Sequence, residues 1–167
     1  IDKHYGTSAP SIEDIFGGLA AAGKDAPEVE ANSAPIVRFV DLVMTQAIKE
    51  KASDIHFEPF EREFKIRYRV DGALYEMAPP PVHLANSVIS RVKVMANMNI
   101  AERRVPQDGR FRVKYGTPER PIDFRVSIMP SIHGEDAVLR VLDKESMSEK
   151  FHKLVLDVVG FDEDDLQ

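Results

Sequence analysis

The segment "IAERRVPQDGRFRV", residues 100–113, sets Arg103, Arg104, Arg110 and Arg112 within ten residues around a Pro-Gln-Asp-Gly turn. A guanidinium offers a planar fork of donors that fits a carboxylate or a phosphate, so this cluster calls for an anionic partner. Eleven of the twelve arginines lie between Ser53 and Asp143. That stretch carries 14 Lys and Arg against 13 Asp and Glu, in a chain whose net charge is −6. The overall acidity argues against a general nucleic-acid binder. Ordinary solvated strand faces would also account for the arginines, so composition alone leaves both readings open.

Three other groups could do chemistry. Asp54, His56 and Glu58 alternate along one strand. They read either as part of a metal site or as a polar strand face with His56 hydrogen-bonded to a carboxylate. Arg140, in "DAVLRVLD", shares a strand face with Val138 and Leu142, and a guanidinium between apolar neighbours is expected to reach a partner. Arg125, in "DFRVSIM", sits beside Asp123 and Ser127. If the two strands pair, both arginines could project toward the same side. No GxGxxG and no GxxxxGK[ST] is present, so the chain carries no phosphate-cradling loop of its own.

The elements that must position these groups follow from periodicity. Residues 1–34, rich in Ala, Gly, Ser and Pro, read as a flexible linker, with one short helical stretch at "SIEDIFGGL". Ile36, Phe39, Val40, Val43, Met44 and Ala47 recur at helical spacing and predict a helix over about 35–51. Strands are expected at "SDIHFEPF" and at "FKIRYRV", whose partner "ALYEM" returns through the Asp71–Gly72 hairpin turn. Leu84, Val88, Val92 and Met95 mark a second helix, about 82–98. Asp108–Gly109 is then expected as the turn feeding "RFRVKY", followed by "IDFRVSIM", a turn at His133–Gly134, and "DAVLRVLD". A helical tail is expected from about residue 146. The order is helix, three strands, helix, three strands, which predicts an α+β fold with mainly antiparallel hairpins and hints at an internal repeat.

Composition adds bounds. The chain has 167 residues, 43% hydrophobic and 30% charged, ordinary values for a globular domain. It has no cysteine, which removes disulfides and thiolate metal sites. No apolar run approaches the roughly eighteen residues of a membrane span.

The blocks "ASDIHFEPFE…FKIRYRVDGAL", "SRVKVMANMNIAERRVPQDGR" and "DFRVSIMPSIHGEDAVLRVLD" resemble the domain just before the motor core of the secretion ATPases. These are the hexameric enzymes of type II secretion and type IV pilus assembly. The resemblance runs from about Ile36 to Asp143. It implies a PAS-like α+β domain over 35–145, with a mainly antiparallel sheet and two main helices. Residues 146–167 would begin the connection to a RecA-like ATPase domain outside this chain. By position, Arg125 and Arg140 correspond to the family's arginine fingers; Arg103, Arg104, Arg110 and Arg112 are then expected to serve inter-domain packing in the hexamer rather than direct phosphate contact.

ATP and Mg2+ are then expected in the full-length protein, with no cofactor and no metal held by this stretch alone. The implied partners are RecA-like domains of the same and neighbouring subunits in a homo-hexamer, and inner-membrane platform proteins, but no nucleic acid. The implied location is cytoplasmic, peripheral to the inner membrane. The stretch by itself should not hydrolyse ATP. A stand-alone PAS-like sensor or interaction module, with a ligand-sized apolar cavity, is the alternative.

Overall fold

A computed structural model describes residues 31–144. The stretch "SIEDIFGGL" and the tail from about residue 146 lie outside the described residues. Helix α1 (Ala34–Lys49) carries Pro35 in its first turn, where the missing N–H would have no helical partner. It buries Ile36, Phe39, Val40, Val43, Met44, Ala47 and Ile48 as one stripe, the 3.6-residue pattern visible in the sequence. Strands β1 (Asp54–Pro59), β2 (Phe64–Val70) and β3 (Ala73–Glu76) follow. Asp71 and Gly72 take φ values of 51° and 85°, the paired left-handed conformation that a two-residue hairpin needs to match strand twist.

The second helix is shorter than its period suggests. A 3-10 turn, Val82–Leu84, leads into α2 (Ala85–Met95), and Asn97 at φ 57° ends it. Strands β4 (Gln107–Tyr115), β5 (Arg120–Ser131) and β6 (Gly134–Leu142) complete the described fold. Asp108 and Gly109 are not a turn, as expected from sequence, but strand residues opposite Ser127 and Val126. Glycine stands there for space. A Cβ at position 109 would meet the Ala96 carbonyl oxygen at 2.8 Å and the Met98 methyl at 3.0 Å. Backbone approaches the strand too closely for any side chain.

All six strands form one antiparallel sheet in the order β3-β2-β1-β6-β5-β4. The halves join through β6 and β1, and β1–β3 and β4–β6 follow the same order across the sheet. One set of alternating residues faces the helices: Ile55, Phe57, Ile66, Tyr68, Phe124, Val126, Ile128, Ala137 and Leu139 join both helices in a single core. The architecture is therefore α+β in two layers, helices on one side of the sheet. The opposite side is covered by no helix or strand among the described residues, and it carries the charged alternation.

Candidate functional site

Antiparallel register turns separate residues into a row. Arg69 lies opposite Asp54, Asp54 opposite Arg140, Arg140 opposite Arg125, and Arg125 opposite Arg110. Arg125 and Arg140, singled out separately by sequence, are direct cross-strand neighbours on the uncovered face. Arg110 continues the row onto β4. Neighbouring strands lie about 4.8 Å apart, so the guanidiniums of such a row work at close quarters.

The row is not uniform in charge. Asp54, with its side chain 10% exposed, accepts from Arg140 Nε at 3.1 Å and from the Ser53 hydroxyl at 2.9 Å, while Arg69 Nε lies 3.8 Å away. The expected partner of Arg140 is thus inside the domain. Arg110 and Arg125 are exposed and make no hydrogen bond or ion pair with any described residue.

On one flank, Arg112 donates through Nε to Asp123 at 2.6 Å and through Nη2 at 3.4 Å. That hydrogen bond holds the Asp123 carboxyl below the usual aspartate range, with the charges of Arg112, Lys144 and Arg110 adding to the effect. On the other flank Ser127 donates to Asp108 at 2.9 Å. Both flanking carboxylates are therefore engaged. An open concavity of about 480 Å³ is lined by Arg110, Arg112, Asp123, Arg125 and Leu142 with the backbone-adjacent Phe111 and Phe124. Chemically, the guanidiniums of Arg110 and Arg125 on its wall can donate to an anion with several oxygens.

The Asp54–His56–Glu58 set does not gather a metal. Asp54 is committed as described, and Glu58 accepts from Arg67 Nε at 2.7 Å. No cluster of three metal-ligating side chains occurs among the described residues. His56 Nε2 is buried without a hydrogen-bond partner, so the carboxylate bond expected for it is not made. Its register neighbours are Arg67 and Val138, neither of which can accept its proton.

Arg103 and Arg104 stand apart from the row, on the loop between α2 and β4. That loop is braced from within. Lys93 is fully buried on α2, donates from Nζ to the Glu102 carbonyl at 2.8 Å, and lies 2.7 Å from Glu135 Oε2. The latter contact has the distance of an ion pair without the angle of a hydrogen bond. Gln107 Nε2 donates to the Asn99 and Glu102 carbonyls at 3.0 and 3.1 Å. Outward the loop shows Ile100, Val105, Arg103 and Arg104, a mixed apolar and cationic surface. Sequence reasoning missed the Lys93–Glu135 pair. Its signal was Lys93 four residues after Ile89, on the stripe that faces the sheet.

A second concavity, about 390 Å³, lies at the surface between α1 and β3, lined by Gln46, Glu50, Tyr68, Val70, Tyr75, Glu76 and Met77. Two carboxylates on its wall make it unsuited to an anion. Burial, and less so Glu50, pushes the Tyr68 phenol far above its ordinary pKa, so it serves as a neutral donor to the Val43 carbonyl at 3.3 Å.

Residues 29–166 match the family described as type II/IV secretion system protein. The chain is 42% identical, over 97% of its length, to a type IV pilus assembly ATPase of Myxococcus xanthus, of which it covers 29%. It is 43% identical, over 98% of its length, to a type II secretion system protein E of Xanthomonas campestris, of which it covers 29%. A type II secretion system protein E of Klebsiella pneumoniae is 53% identical over 70% of the chain, and 23% of that protein is covered. The chain thus spans less than a third of the length of these relatives.

Proposed function

The chain belongs to the type II/IV secretion system protein family, and from that premise we propose that it is a coupling domain of a hexameric ATPase powering type II secretion or type IV pilus assembly. In this reading it is the PAS-like unit before a RecA-like ATPase domain. Its uncovered sheet face meets the nucleotide held by that domain, in the same or a neighbouring subunit. Arg125 and Arg140 reach the terminal phosphate. The observation that carries the proposal is their direct opposition across β5 and β6 on a face no described element covers. A guanidinium placed there stabilises the charge that spreads over the phosphoryl oxygens during transfer, and senses which nucleotide is bound.

ATP with Mg2+ fits the row by charge. The carboxylates nearest it, Asp54 and Asp123, each accept from arginine, so the metal's ligands are assigned to the ATPase domain. Arg103, Arg104 and Arg112 serve packing between domains. The braced loop bearing Arg103 and Arg104 beside exposed Ile100 and Val105 supports that role. Arg110, grouped with them by sequence, stands in the row itself. Assembly proteins at the inner membrane complete the proposed partners. No helix among the described residues is long and apolar enough to cross a membrane.

The test is ATP turnover of the full-length protein. Arg125→Ala and Arg140→Ala should each lower it by about 10²-fold or more, the scale for removing one preorganised donor to the reacting group. Folding should be intact, since both side chains are exposed and Asp54 keeps the Ser53 hydroxyl and Arg69 beside it when Arg140 is lost. Wild-type turnover in both variants would refute the arginine role.

A further inference from the structure

The like-charged row contrasts with paired charges on its own sheet. Three contacts on this face join opposite signs: Lys65 lies 3.7 Å from Glu76, Arg67 bonds Glu58, and Arg112 bonds Asp123. Like charges placed directly opposite cost stability, and here three arginines are consecutive across β6, β5 and β4. Asp54 offsets the charge at one end only, through Arg140. The uncompensated charge is therefore displaced toward β4 and sits on Arg125 and Arg110. The concavity follows the same displacement, since Arg110 and Arg125 line it and Arg140 does not.

From this asymmetry we infer that Arg110 is a third phosphate contact, and that the polyphosphate seat is centred over β4 and β5. Arg140 then reaches the seat from its edge, oriented by Asp54. Gly109 fixes where Arg110 stands, because its missing side chain lets β4 lie against the end of α2. The ligand chemistry is a chain of at least two phosphates. A row spanning three strands covers roughly 10 Å, from a spacing of about 4.8 Å per strand, too wide for one phosphate. The inference rests on the nucleotide reading of the face and adds to it a residue that sequence had assigned to packing.

The experiment measures turnover against ATP concentration in the full-length protein for Arg110→Ala, Arg110→Lys and Lys114→Ala, beside Arg125→Ala and Arg140→Ala. Lys114 is exposed on the same face of β4 and removes an equal charge away from the row. Arg110→Ala should raise KM for ATP about tenfold, the scale of one charge-assisted contact. Arg110→Lys should fall between, since an ammonium restores charge without the fork. Lys114→Ala should leave KM unchanged. If Arg125→Ala and Arg140→Ala impair turnover while Arg110→Ala matches wild type, this inference fails and the nucleotide reading stands. If Arg110→Ala weakens assembly but the assembled enzyme keeps its KM, Arg110 is a packing residue and the inference fails. If none of the three arginine variants changes turnover, the nucleotide reading itself falls.

Discussion

Among the described residues a single cation is buried, on the helix side of the sheet, and the groups around it satisfy it. Lys93 has Glu135 at 2.7 Å and the Glu102 carbonyl at 2.8 Å. On the opposite side three guanidiniums stand abreast, and only Arg140 has a bonded carboxylate. The same strands build both. A buried charge must be paired within the fold, because desolvation costs several kcal/mol per ion. An exposed charge need not be, because water screens it. Self-sufficiency on one face and incompleteness on the other are what a domain needs in order to fold alone and act in company.

The largest expected effect tests the self-sufficient side. Lys93→Ala strands Glu135 and should destabilise the fold by about 3–5 kcal/mol in urea unfolding. The double change Lys93→Met with Glu135→Leu should recover most of that loss, since a buried pair and an apolar replacement of similar volume are often near equal. Gln107 still donates to the Glu102 carbonyl in that double variant. Arg125→Ala, across the sheet, should stay within about 0.5 kcal/mol of wild type. A Lys93→Ala effect as small as that of Arg125→Ala would erase the distinction between the faces.

Next in size is Gly109, where the two faces meet mechanically. An alanine methyl there would lie 2.8 Å from a backbone oxygen, which cannot swing away as a side chain would. Gly109→Ala should cost about 1–3 kcal/mol, the range for overpacking. If stability is unchanged, β4 has slack against α2, and the position of Arg110 is less fixed than the structure shows.

The faces were legible in sequence, while the row was not. Strand period assigns Phe124 and Val126 to one side and Arg125 to the other without knowledge of any partner. Register needs the centre of each turn. In an antiparallel hairpin, paired residue numbers have a constant sum. A turn centred on His133–Gly134 sets Arg125 opposite Leu142. The actual centre, Ile132–His133, sets it opposite Arg140. One residue of error in the turn moves the pairing by two, and the guanidiniums part company. The loop "GTPERP" fixed no centre at all, so the third arginine stayed hidden until β4 and β5 were seen paired. Lys93 was illegible for a different reason. Helical period places it on the buried stripe, but a lysine reads as surface unless its partner is known, and Glu135 lies across a hairpin far along the chain.

The smallest expected effect asks whether the uncovered face carries repulsion of its own beyond the arginines. Asp136, on β6, has its carboxyl held above the usual aspartate range, by partial burial first and by the charge of Glu58 second. The charge of His56 pulls the other way. A carboxyl raised in the folded state binds its proton more tightly there than in the unfolded chain. Its contribution to stability is present below the ordinary aspartate value, about 3.9, and is lost as pH rises through the folded value. Asp136→Asn should therefore raise stability at pH 7 by up to about 0.5 kcal/mol, the usual bound for such sites. The gain should vanish near pH 3, where both states carry the proton. Urea midpoints at the two pH values measure the difference. A loss of stability at pH 7 would mean that the charged carboxylate gains more from His56 than it loses to burial and Glu58.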